Sequence, residues 1–243
     1  MIKFEIKRKK VAVGAAPGTL IYTGSATETS AEIQLIKYNP DHISQSVAHE
    51  FAGVMETTGD GDINWININA INDTTLISEI GNQFNLHPLL LEAILNTHQL
   101  PKFECFDNCF FFTLKMLSLE NEESPIRHEH ISFVLTSNFL LSFQERPGDV
   151  FEPVRNRLQS GKGRLRHRKT DYLLYTLIDV VVDNYFSIVN KLTDKVAALE
   201  EQLLEDDSPH IVQEIVTQSK QLLYLRRAIL PLREAIRTLL KEE

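Results

Sequence analysis

The sequence predicts an α/β domain with a mixed sheet, followed by a long antiparallel helical hairpin. Three observations carry this. Eight of the ten glycines and seven of the nine prolines precede Gly161, and none of the 80 residues after Gly163 is glycine. Before that point short runs of alternating apolar and polar residues interleave with helical ones; after it, apolar residues recur three and four apart. Period 2 belongs to half-buried strands and period 3.6 to helices packed on one face. The expected division is residues 1–165 for the α/β part and 166–243 for the helices.

In chain order, Glu32–Tyr38 (EIQLIKY) and Ile63–Asn69 (INWININ) alternate and read as strands. Asp73 is placed to cap a helix reaching Phe84. His87-Pro88 opens a second helix, LLLEAILN, with proline in the first turn, where its missing N–H costs nothing. Cys109–Leu119, Ile131–Thr136 and Phe139–Gln144 read as further strands, the last two joined by Ser137-Asn138 at hairpin spacing. Pro153–Gln159 reads as a short helix. Thr170 can cap a helix running to about Asp206, and Ser208-Pro209 can start the next. At 1.5 Å per residue both long helices exceed the ~30 Å span of a small domain, so they project beyond it. The short Asp206–Ser208 link makes them antiparallel. Between Tyr172 and Val189 the polar residues are too few to leave one polar face, so this helix needs cover beyond its hairpin partner. The apolar pattern persists to Leu240 without a glycine or asparagine cap, which reads as a chain cut inside a longer helix.

Composition sets the outer bounds. Hydrophobic residues are 43% and charged residues 24% of the chain, which excludes a disordered or collagen-like segment. Two cysteines exclude a disulfide scaffold. The net charge of -8 argues against a surface devoted to nucleic acid. Residues 171–243 hold 8 Lys+Arg against 13 Asp+Glu, so the long helices carry more than half of that charge. No run approaches the ~18 consecutive apolar residues of a membrane span, and the basic N-terminus lacks a signal-peptide core; as written, the chain reads as soluble and not secreted.

Catalytic chemistry is not legible, and the chain reads as no enzyme. Cys105 and Cys109 (C-F-D-N-C) have no second pair to complete a zinc site and read as small residues of a strand–turn–strand. His128 and His130 share a strand face but lack a third ligand nearby. Ser160–Gly163 lacks the first glycine of a P-loop and the Ser/Thr after lysine. Arg155–Lys169 (RNRLQSGKGRLRHRK) holds seven Lys/Arg and no acid; it reads as a solvated, flexible linker or as a grip on phosphates or an anionic membrane. The acids are more informative. Glu92 sits in a nearly all-apolar helix, and Asp179 and Asp183 share one face of LIDVVVDNYF. A carboxylate among apolar neighbours is costly unless exposed, paired or bound to a cation, and hard divalent cations such as Mg2+ take carboxylate and carbonyl oxygens.

At HPLLLEAILNTHQLPKFECFDN (87–108), LSFQERPGDVFEPVRNR (141–157), DYLLYTLIDVVVDNYF (171–186) and LRRAILPLREAI (225–236) the chain resembles the cytoplasmic part of the CorA-type magnesium transporter family, collinearly from Ala16-Pro17-Gly18-Thr19 onward. The resemblance implies a homopentamer in the inner membrane with this domain on the cytoplasmic side. It also implies a funnel of long helices leading to a pore whose Gly-Met-Asn mouth lies outside this sequence. It further implies regulatory Mg2+, with Co2+ and Ni2+ as alternative cargo, held between subunits and favouring the closed pore. Glu92 and Asp179 match acidic positions of one such site, and Ala15 matches a position offering a main-chain carbonyl. Ala93 departs from members that carry a second acid after the glutamate. A zinc-transporting relative of the same architecture and a soluble helical-hairpin scaffold are the alternatives.

Overall fold

The computed structural model describes residues 14–25, 31–58, 61–69, 71–118, 126–205 and 209–241. The predicted Asp206–Ser208 link, the Ser208 cap and the Leu119 strand end lie outside them. Seven strands form one sheet in the order β2-β1-β3-β7-β6-β5-β4. They are β1 Glu32–Tyr38, β2 Ile43–Ala48, β3 Ile63–Asn69, β4 Lys102–Cys105, β5 Phe110–Ser118, β6 Arg127–Leu135 and β7 Phe139–Gln144. β3 pairs with β7 in parallel and the other neighbours are antiparallel, so the sheet is mixed as expected.

Helices cover both faces. α1 (Phe51–Glu56), α2 (Thr74–Gln83) and α3 (Pro88–Leu95) lie on one face; α4 (Glu152–Ser160), α5 (Thr170–Glu205) and α6 (Pro209–Leu239) lie on the other. Strand alternation sorts the core accordingly. Ile66, Phe111, Val134 and Leu141 join the cluster under α2 and α3, while their neighbours Trp65, Phe112, Phe133 and Leu140 join the cluster under α4 and α5. The caps follow the sequence at two places. Asp73 accepts from the N–H groups of Thr75 and Leu76 at 2.9 and 3.1 Å, and His87 Nδ1 accepts from Leu89 N–H at 3.2 Å ahead of Pro88.

Thr170 behaves differently from its expected role. It is the first residue of α5, and its hydroxyl donates to the carbonyls of Thr136 (2.9 Å) and Ser137 (3.2 Å), tying the helix start to the β6–β7 turn. Farther along, Tyr185 O–H donates to the Lys115 carbonyl and Asn184 Nδ2 to the Leu117 carbonyl, so α5 is pinned to β5 as well. The cover that its apolar faces demanded comes from the sheet and from Leu225, Ala228 and Leu232 of α6. Among the described residues α5 is the one helix long and apolar enough to cross a membrane, with mean hydropathy 1.3 in its most apolar window; the face that raises this value packs on the sheet. At 36 and 31 residues, α5 and α6 reach ~54 and ~46 Å.

The basic stretch is not a loose linker. Its first six residues belong to α4, which ends at Gly161 in the left-handed conformation (φ 63°). Arg166, in a single 3-10 turn (Leu165–His167), donates to the carbonyls of Leu158 (2.5 Å) and Gln159 (2.8 Å) at that helix end. Arg155 forms a bidentate pair with Asp149 at 2.7 and 2.6 Å and lies 5.3 Å from the Trp65 ring centre. Burial alone would raise the Asp149 carboxyl, but the Arg155 guanidinium holds it below the usual carboxylate range.

Candidate metal-binding edges

Glu92 sits half-buried near the middle of α3, whose other side chains Leu90, Leu91, Ile94 and Leu95 enter the core. Its carboxylate borders a shallow groove with Asn96, Gln99 and the Lys102–Glu104 ion pair (2.8 Å). The segment 14–25 docks along the same helix. Gly18 N–H donates to Glu92 Oε2 at 2.6 Å, Thr23 N–H donates to the Leu95 carbonyl at 3.1 Å, and Thr97 N–H donates to Thr23 Oγ1 at 2.9 Å. Ala15 is exposed on this segment, three residues from the Gly18 amide. The structure therefore brings the Ala15 stretch and Glu92 together.

It does not bring Asp179 to them. Asp179 is half-buried on α5, across the full thickness of the sheet from α3. Asp183, one turn on, is exposed, and so are Tyr175 (57%) and Phe186 (65%) on the same outward stripe. The edges are thus an α3 edge with a carboxylate and a docked loop, and an α5 edge with two carboxylates flanked by exposed aromatics. No group of three or more His, Cys, Asp or Glu able to hold a metal ion occurs within the chain among the described residues. Carboxylate and carbonyl oxygens suit a hard cation, but each edge supplies only part of a coordination shell.

The other sequence candidates settle into structural roles. Cys105 ends β4 and is exposed, whereas Cys109 is buried just before β5, a strand–turn–strand arrangement. His130 is fully buried, with Ser132 Oγ 2.9 Å from Nε2 and Thr113 Oγ1 3.4 Å from Nδ1. Burial and the nearby Lys115 charge keep it neutral. His128 instead stacks on Tyr224 of α6 at 5.1 Å.

Sequence reasoning missed the polar cluster around His130. Lys115 Nζ donates to the Thr97 carbonyl at 2.6 Å, and burial lowers its pKa to about 8. Glu145 accepts from His130 N–H at 2.7 Å, and Glu129 accepts from Arg146 N–H at 2.8 Å. Burial, helped by the Glu145 charge, raises Glu129 to about 7. Alternation hid it: in β5, Lys115 shares parity with Thr113, opposite the more apolar Phe112, Leu114 and Met116, and that face is covered only because helices lie on both sides of the sheet.

Residues 60–243 match the CorA-like Mg2+ transporter protein family. The cobalt/magnesium transport protein CorA of Thermotoga maritima is 39% identical over 238 residues, 98% of this chain and 68% of that protein. The zinc transport protein ZntB of Yersinia enterocolitica is 28% identical over 142 residues, 58% of this chain and 42% of that protein. In fold, the chain is similar to the CorA magnesium transporter of Methanocaldococcus jannaschii, with TM-score 0.65 and 18% identity, over 90% of this chain and 64% of that one. The family match and the 39% identical relative place the chain with divalent-cation transporters rather than with enzymes. The chain belongs to the CorA-like Mg2+ transporter family. It spans about two thirds of its magnesium-transporting relatives and less than half of the zinc-transporting one.

Proposed function

We propose that this chain is the cytoplasmic, Mg2+-sensing and gating domain of a homopentameric inner-membrane transporter for Mg2+, with Co2+ and Ni2+ as further cargo. In this reading the α3 edge of one subunit faces the α5 edge of the next. Glu92 with the Ala15 carbonyl, and Asp179 from the neighbour, share a divalent ion between them. The ion neutralises carboxylates that would otherwise repel, so it favours the closed arrangement; falling Mg2+ releases it. Because the ligand binds one state better, it shifts the population toward that state.

The observation that carries the reading is the placement of the two carboxylates on opposite sides of the sheet. One chain cannot close a shell around a single ion with both, whereas a ring of chains can. The exposed Tyr175 and Phe186 beside Asp179 support a second copy as the partner, since exposed aromatics flanked by acids suit a subunit contact. The 39% identity to a cobalt/magnesium transport protein favours Mg2+ over Zn2+. Millimolar Mg2+ should raise the melting temperature of the oligomeric protein by several degrees, and Glu92→Gln with Asp179→Asn should remove the shift. A full shift in the double variant would refute the ligand assignment.

A further inference from the structure

Glu92 belongs to α3, but its carboxylate is gripped from outside the helix. The Gly18 amide reaches it across 74 residues of chain, at 2.6 Å. A bond to a charged acceptor is among the stronger hydrogen bonds, and it takes one carboxylate oxygen while leaving the other available. The loop that delivers this amide closes on itself: Thr19 N–H and the Thr19 hydroxyl both donate to the Ala16 carbonyl, at 3.2 and 2.5 Å. That consumes the Ala16 oxygen and leaves the Gly18 N–H for α3.

Two constraints make residue 18 a glycine. Its φ is +82°, which a side chain rarely tolerates, and a Cβ there would lie 2.8 Å from Pro88 Cβ, far inside van der Waals contact. Pro88 is the first residue of α3, four residues before Glu92 and on its face. The absence of a side chain at 18 is what allows the loop to lie against the helix start and place its amide on Glu92.

We propose that Gly18 is a positioning residue for the cation edge: its amide orients the Glu92 carboxylate, and its close approach to Pro88 carries the Ala15 stretch to the same place. This rests on Glu92 being a metal ligand. Mg2+ titration of the oligomeric protein, followed by melting temperature, tests it together with hydrogen exchange of the peptide spanning 14–25. Gly18→Ala should raise the Mg2+ midpoint at least tenfold and speed exchange in that peptide. Gly163→Ala is the control: its φ is +85°, yet nothing lies within 4 Å of the added Cβ. It carries the same left-handed strain away from the site and should leave the midpoint unchanged.

From the other end of the bond, Glu92→Ala should loosen the 14–25 peptide. Glu92→Gln, which keeps an oxygen acceptor, should leave the peptide protected while losing the Mg2+ response. A wild-type midpoint in Gly18→Ala, with the response lost in Glu92→Gln, overturns this proposal alone. Unchanged exchange in both Gly18→Ala and Glu92→Ala also overturns it. A wild-type Mg2+ response in Glu92→Gln overturns the ligand reading and this proposal with it.

Discussion

α3 and α5 each carry a half-buried acid among apolar neighbours, and they differ in what surrounds it. Glu92 has a docked loop, an amide donor and a polar groove drawn from its own chain. The Asp179 carboxylate makes no hydrogen bond or ion pair among the described residues, and its stripe is bordered by exposed aromatic rings. The inward side of α5 is the reverse, with Leu173, Leu177, Val181 and Tyr185 buried in one cluster with Phe112 and Phe133. The difference separates what the single chain stabilises for itself from what, on the proposed reading, it leaves for a neighbouring subunit.

The largest expected effect lies on the inward side of α5. Leu177 is fully buried in the core cluster that α5 shares with the sheet, α4 and α6. Leu177→Ala removes its contacts and leaves a cavity, so it should cost about 2–5 kcal/mol in denaturant unfolding. Tyr175, two residues away and pointing outward, is the internal control. Equal losses at the two positions would break the contrast between the faces.

A smaller, pH-dependent effect belongs to Glu129, near the start of β6. Glu129 is raised from its ordinary value of 4.5 to about 7, chiefly by burial. Between these values the folded state binds more protons than the unfolded chain, so this residue stabilises fully below about pH 4.5. Its contribution is lost as pH rises through about 7. Glu129→Gln stays neutral throughout and should flatten that slope, with a gain of about 1–2 kcal/mol at pH 8. Thermal melts from pH 4.5 to 8 give the answer, and a slope matching wild type would show that Glu129 stays ionised in the fold.

The sheet and helices were legible where one period dominated. INWININ is β3 to the residue, and the unbroken apolar spacing of residues 170–205 is α5. Three elements were not. β2 (ISQSVA) is an edge strand whose middle is exposed, so nothing forces alternation; α1 is six residues long with a glycine inside; β4 is four residues after a proline. The same distinction governs the site. Glu92 and Asp179 drew notice because acids interrupted apolar runs. The Gly18–Glu92 bond joins distant residues and depends on a positive φ and on the packing of one glycine against Pro88, which local periodicity does not encode. Nor did spacing alone reveal that α3 and α5 end on opposite sides of one sheet.

The smallest effect on stability should occur on the outward stripe of α5, where the comparison between faces is sharpest. Tyr175 and Phe186 are more than half exposed, so replacing both with serine removes little buried surface from a single chain. Unfolding of the monomer should change by less than about 0.5 kcal/mol. Self-association should respond far more strongly, because large aromatics at the centre of an interface commonly carry most of its energy. Sedimentation at increasing protein concentration, with and without Mg2+, separates the two. In the Tyr175→Ser, Phe186→Ser variant the oligomer should weaken at least tenfold while the monomer melts as before. An oligomer that survives intact would show that subunits meet elsewhere, and would leave Asp179 without the neighbour that the proposed shared ion requires.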